Sequence, residues 1–477
     1  MIFTASLLSQ EEQERIHSQS LRILAEVGVR FHSKRALQLL ETHDAQVDWD
    51  EKIARIPFEL VAEALRLAPH GFTLGARNPA YDYPLPSPVT RFCMDGTAAF
   101  ATDFETGERR YGTRADNVAA MRILQQMDLA VMAWPPTCIS ESPAAARPLH
   151  EFFTMMEFSS KHGQHELHTV EQVPYLVEGL KAVLGSEEQI RSRKNYSLIY
   201  CPVAPLSHDG PMLEAYLELG PLDMPVMVMP MPVAGTTGPA SLFSTVCLAN
   251  AELLSSLVVF ELAHPGRPVI YSSATGTVDF RTGGYLGGTP EMGLQSAALT
   301  QMGAYYDLPR SAAGCTSDAR QPGPEAVLEK LITTLPPMLA GADIVVGFGE
   351  IEGDQNLVLE QIIVDNEIAH QCQRLMEGVD GREVRDLFDD VVKVGPGGHF
   401  LASKNTRQAP RSGEFFISDL MPRQTYEAWI ELGKPSMYGK ARQKVRDLLA
   451  EPVTDPLPED VRQALDAILR QADENLK

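Results

Sequence analysis

Four acidic side chains stand where buried apolar runs end: Asp95 in MDGTAAF, Asp318 in TSDAR, and Glu350 and Glu352 in GFGEIEG. Glu350 directly follows IVVGFG, and a carboxylate in that position is poorly explained by surface solvation. Aromatic residues end other apolar runs: Trp134, Tyr200, Tyr271 and Phe348. Carboxylates and aromatics at one mouth are the chemistry of holding a small cation. A quaternary ammonium neither donates nor accepts a hydrogen bond, so proteins hold it against aromatic faces at ~0.5–2 kcal/mol per good contact. The same aromatic positions serve equally well as an upper core layer of a barrel.

Other reactive arrangements are less developed. His162, His165 and His168 fall within seven residues at spacings of three and three. A metal site on one element needs i, i+4 on a helix or i, i+2 on a strand, so no metal site is expected. Cys201 and Cys315 lie near strand ends without the strand-turn-helix elbow of a nucleophile. The glycine-rich stretches GTTGP, GGYLGGTPE and GPGGHF read as tight turns, and none carries the lysine of a phosphate loop. No GxGxxG follows the first strand, and no tightly bound cofactor is expected. His399 and Phe400 in GPGGHF fall outside the strand repeat, where a rim-covering loop arises.

The elements that must position these groups follow from periodicity. Seven apolar strands alternate with helical segments: DLAVMAWP, QHELHTV, NYSLIYCPVAP, MPVMVMPMPVAG, RPVIYSSATG, LPRSAAGC and GADIVVGFGE. Seven or eight such units argue for a closed parallel (β/α)8 barrel of TIM type rather than an open sheet. Residues 1–90 read as a helical region, with Ser9 capping a helix that stops at Gly28 and Pro57 opening another. RFCMDGTAAFATDF and RRYGT flank the turn Glu105–Glu108 as an added β-hairpin that decorates or plugs one barrel end. The organisation expected is an N-terminal helical region (1–90), an α/β barrel with the hairpin (91–400) and a C-terminal helical cap (401–477).

With 477 residues the chain can hold a barrel of ~250 residues plus these additions. Its 41 basic against 63 acidic side chains give a net charge of −22, which excludes a phosphate-backbone partner. The six cysteines are scattered without a CxxC pair and the N-terminus turns polar after eight residues, so a reducing compartment, the cytoplasm, is expected. No apolar run is read as reaching ~18 residues, and no membrane association is expected.

Several blocks also resemble the trimethylamine methyltransferase family from end to end: LSQEEQERIHSQSLRILAEVGVRFHS, FATDFETGERRYGT, SDARQPG, VDNEIA, VGPGGHFL and LMPRQTYEAWIELG. The resemblance implies a corrinoid-dependent enzyme that moves a methyl group from an amine to the cobalt of a partner corrinoid protein. Members acting on trimethylamine itself contain pyrrolysine, and this chain has only the twenty standard residues. It therefore looks like the group without pyrrolysine, which implies a small quaternary amine as substrate, glycine betaine foremost. The family's pyrrolysine falls in or near Ser317–Gln321, which makes Gln321 a candidate. The expected substrate site is Asp95, Tyr200, Tyr271, Gln321, Phe348, Glu350 and His399, in a homo-oligomer. Two other readings stay open: a zinc-dependent barrel methyltransferase, and a betaine-binding protein without catalysis.

Overall fold

The computed structural model describes residues 4–476. Eight parallel strands form one sheet: β1 (Arg91–Met94), β2 (Ala130–Ala133), β3 (His162–His165), β4 (Tyr196–Tyr200), β5 (Val226–Val228), β6 (Val269–Tyr271), β7 (Ser311–Ala313) and β8 (Ile344–Phe348). From β1 to β6 each strand pairs with the next, β7 pairs with β8 and β8 pairs with β1. Closure comes between β6 and β7, where Tyr271 bridges Arg310 and the Ala313 N–H donates to the Ser273 carbonyl at 2.8 Å. This is the expected TIM-type barrel. Its helices are α1 (Arg114–Gln125), α2 (Arg147–Phe158), α3 (Val173–Leu184), α4 (Gly210–Glu218), α5 (Leu242–Ala263), α6 (Pro290–Tyr305), α7 (Pro324–Leu339) and α8 (Leu359–Glu377).

One strand differs from the sequence reading. The first barrel strand is RFCM at Arg91–Met94, which the turn chemistry of the next residues made look like a hairpin arm. The hairpin itself is shorter, Phe100–Thr102 against Arg109–Tyr111. Phe100–Thr102 pairs in turn with Asn356–Leu357, which pairs with Glu350–Ile351, so loops from β1 and β8 build one small sheet over the C-terminal end.

The N-terminal region is more than helices. Its helix Gln10–Arg22 starts at the Ser9–Glu12 capping box and runs through a π turn to Gly28. Short strands at Val29–Phe31, Gln46–Asp48 and Ile53–Arg55 join Ser207–His208 in a four-stranded sheet. A further pair, Phe72–Leu74 with Tyr83–Leu85, lies at the N-terminal end of the barrel, where the Tyr83 hydroxyl reaches the Asp343 carbonyl at 3.1 Å.

Helix α5 is the segment on which the membrane reading turns. Its 22 residues are long and apolar enough to cross a bilayer by composition. It is buried on all sides because Gln10–Arg22 and Phe58–Leu67 cover the face turned away from the barrel. A helix that is apolar all round is the pattern that double burial requires.

The barrel's last helix ends at Glu377. Of residues 378–435, Leu420 alone is buried. Met437–Ala450 packs on α8 and α1, and Glu459–Asn475 packs on α3 and α2, where Asp473 meets His150 at 2.8 Å.

Candidate active site

The C-terminal ends of six strands and the loops after them line a cavity of about 310 Å³. Asp95 and Gly96 come from the end of β1, Trp134 from β2, Met229 and Met231 from β5, and Ala313 and Val346 from β7 and β8. Asp354 and Tyr285 enter from loops.

The loop after β8 aims Asp354. Its arms Glu350–Ile351 and Asn356–Leu357 are paired, and the turn between them carries Gly353 at φ +64°. The Gly353 N–H donates to the Ser317 carbonyl at 2.8 Å and the Glu352 N–H to the Ala319 carbonyl at 3.1 Å, which pins this turn to the loop after β7. Asp318 in that loop is not free for substrate. Its carboxylate accepts the N–H groups of Gly287 and Gly288 at 3.0 and 2.8 Å and so fixes the segment that carries Tyr285.

A buried ion pair holds the ends of β7 and β8. The Lys330 ammonium donates to the Cys315 carbonyl (2.6 Å), the Gly347 carbonyl (3.0 Å) and Asp365 Oδ2 (2.9 Å). Asp365 also accepts from the Gly349 N–H at 2.8 Å and from Gln361 at 2.7 Å. Burial works against the lysine's charge, and the facing Asp365 carboxylate more than offsets it. Asp365 is fully buried and holds the β8 turn.

Three further carboxyls gather beside this pair. Asp95 and Asp354 both line the cavity, and the Gly96 N–H donates to Asp95 Oδ1 at 3.0 Å. Burial raises the Asp95 carboxyl above its usual range, against the Gly96 bond and the Lys330 charge. Burial, then the Asp95 charge, pushes Asp354 well above. Glu350 is fully buried with no hydrogen-bond partner on either oxygen, and burial followed by the charges of Asp95 and Asp354 pushes it well above its usual range. All three carboxyls are thus raised in the same direction, by burial first and by one another's charge after it.

Of the expected site residues, Asp95 lies in the cavity wall and Glu350 stands next to it. Tyr200 and Tyr271 do not. Alternate residues of a barrel strand face inward and outward, and both tyrosines fall on the outward phase. Tyr200 packs against Tyr216 of α4 and Phe260 of α5, and its hydroxyl bonds to His208 Nδ1 at 2.8 Å. Tyr271 donates to Asn250 Oδ1 on α5 at 2.7 Å. Phe348 is fully buried, stacks on Phe92 at 4.9 Å and is not a cavity wall. Gln321 and His399 are exposed, in loops away from the cavity lining. The three histidines also diverge. His162 bonds to the Gly75 carbonyl and Ser197, His165 to Glu151, and His168 forms a surface pair with Glu166.

Asp354, Tyr285, Met229 and Met231 were not foreseen. The signal for Asp354 was its place four residues after Glu350 in GEIEGDQN, and for Tyr285 its place between two glycine pairs. Trp134 had been noted as a strand-end aromatic. It is buried, and its indole N–H has no partner. A Cβ at Gly96 would lie 2.7 Å from that indole nitrogen, so only glycine lets the Asp95 loop pass so close.

Fold and mouth define a TIM-barrel protein with a small chamber of carboxyls, an indole and thioethers at its C-terminal end. The chain belongs to the trimethylamine methyltransferase (MTTB) family, which it matches over residues 1–476, and it is a methyltransferase. It is 32% identical to trimethylamine methyltransferase MttB of Methanosarcina thermophila, over 97% of this chain and 96% of that one. It is 28% identical to the glycine betaine methyltransferase of Desulfitobacterium hafniense strain Y51, over 98% and 97%. The crystal structure of the Methanosarcina barkeri monomethylamine methyltransferase shares the fold, with a TM-score of 0.53 at 11% identity, covering 100% of this chain and 89% of that one.

Proposed function

We propose that this enzyme moves a methyl group from a small quaternary ammonium to Co(I) of a separate corrinoid protein. The observation that carries the reading is the Asp95–Asp354 pair beside Trp134 in the mouth cavity. Two acidic side chains and no basic one in the cavity wall suit the permanent positive charge of the substrate. The corrinoid dependence is what the family implies.

The chemistry asks little of the protein. A quaternary ammonium leaves as a neutral tertiary amine, so no proton is donated to the departing nitrogen. The metal of the carrier supplies the electron pair that forms the new bond to carbon; the C–N pair stays on nitrogen. What remains for this chain is binding and aim. Asp95 and Asp354 hold the cation, Trp134, Met229 and Met231 replace its water, and one methyl is left pointing out of the mouth. A zinc-thiolate alternative would need converging thiolates, whereas burial pushes the Cys138 thiol nearest Glu350 up to about 11. A purely binding role fits less well with a family of methyltransferases.

Glycine betaine is the expectation from the sequence, but the cavity's charge argues for another member of the class. The reading is tested by incubating the enzyme with a panel of methylated amines and a reduced corrinoid protein. Mass spectrometry should find the tertiary amine formed in equal amount with methylated carrier. Failure with every methylated amine would overturn it.

A further inference from the structure

Quaternary ammoniums fall into two electrostatic classes. Betaines carry a carboxylate a few bonds from nitrogen and have no net charge. Tetramethylammonium and choline are net cations.

The cavity wall distinguishes these. Among the described residues that line it, Asp95 and Asp354 are the acids, and none is Lys, Arg or His. The nearest buried cation is Lys330 behind the wall, and its three N–H donors are already used on Cys315, Gly347 and Asp365. Arg109 at the rim pairs with Glu352 at 2.9 Å and lies 3.4 Å over the Phe100 ring. A betaine carboxylate bound here would be desolvated against Asp95 and Asp354 with no opposite charge to receive it.

An unsatisfied group in the wall marks the chamber as built for a ligand, and a second lies outside its lining. Glu350 is fully buried with both oxygens unpartnered. Trp134 is 3% exposed, lines the cavity and has an indole N–H with no acceptor. A buried donor without a partner is rare in a native structure. A neutral N–H pressed against Gly96, next to Asp95, suits the oxygen of a hydroxyl.

Resting on the methyl-transfer reading above, we infer that this mouth takes net-cationic quaternary ammoniums, tetramethylammonium and hydroxyalkyl cations of the choline type, and rejects zwitterionic betaines. Selectivity of this kind comes from the repulsive element as much as from the attractive one.

Calorimetric titration of the full chain at pH 7.5, without a carrier protein, tests it. Tetramethylammonium and choline should each bind about tenfold tighter than glycine betaine, or more. The double variant Asp95→Asn/Asp354→Asn should lose most of that difference, chiefly by weakening the cations. Trp134→Phe should lower choline affinity more than tetramethylammonium affinity. Glycine betaine binding as tightly as the two cations would overturn the inference, and so would no binding of any of the three. A clear cation preference with no methyl transfer from any ammonium would sink the proposed reaction and leave the selectivity standing.

Discussion

At the residue scale, the decisive question is which carboxyl carries the charge. Glu350 was the strongest acidic candidate in the sequence, because it directly follows an apolar strand. In the fold it stands outside the cavity lining to which Asp95 and Asp354 belong, so Glu350→Gln should change cation affinity by less than ~0.5 kcal/mol. Removing both charges with Asp95→Asn/Asp354→Asn should cost ~1–2 kcal/mol of binding, with each single variant milder because the remaining carboxyl can still ionise. Titration calorimetry of the three variants separates these outcomes; a larger loss in Glu350→Gln than in the double variant would reverse the assignment. The pair also sets a pH dependence. Its folded values are raised, so cation affinity should fall as pH drops through them. Asp95 was legible because it follows a strand directly. Asp354 was not, since a turn residue acquires its direction only from the two arms that pair around it. The tyrosines misled for a related reason. A strand-end aromatic has the right height in the barrel, but its phase is set by register, which apolar runs such as NYSLIYC do not reveal.

At the element scale, the seven later strands were legible as apolar runs with helices between them, and the first was not. RFCM is short and runs straight into turn-forming residues, so its local signal matched a hairpin. The joint between β7 and β8 depends on Gly347, at φ +145°, where a Cβ would lie 1.8 Å from the Gly314 carbonyl oxygen. Gly347→Ala should destabilise the protein by more than ~3 kcal/mol in denaturant unfolding, or prevent folding. Replacing Lys330 by Met leaves Asp365 charged and unpaired in the core, at a cost of ~3–5 kcal/mol. Helix α5 makes a separate prediction. Glu252 is fully buried; burial raises its carboxyl from 4.5 to about 8, against the bond from the Leu206 N–H. A raised folded value means stability that is fully present below about 4.5 and lost as pH rises toward about 8, by about 1.4 kcal/mol per pH unit. Glu252→Gln should abolish that slope, so its melting temperature should exceed that of the natural protein at pH 8.5 and match it near pH 4.5. Parallel curves for the two proteins would contradict the assignment.

At the scale of the whole molecule, the additions around the barrel explain features that no local reading reaches. The N-terminal helices account for the apolar helix α5, and the loop sheet over β1 and β8 accounts for Asp354. Residues 379–432 expose Val379, Val384, Phe388, Val392, Leu401 and Ile417, apolar side chains of the kind that mark an interaction surface. Permanent interfaces between copies are apolar, whereas a carrier that leaves after each turnover needs a more polar one. Light scattering should therefore give a mass at a multiple of 52.4 kDa, and a monomer at micromolar concentration would contradict this. The central claim is the methyl transfer itself, and absorption spectroscopy of the acceptor tests it most directly. The enzyme, a reduced corrinoid protein and a net-cationic quaternary ammonium are mixed under anaerobic conditions and the Co(I) spectrum is followed. Conversion of Co(I) to methyl-Co(III) that requires all three components, and that slows in Asp95→Asn/Asp354→Asn, is the result expected. A Co(I) spectrum unchanged with every quaternary ammonium, while trimethylamine or no amine at all converts it, would contradict the claim.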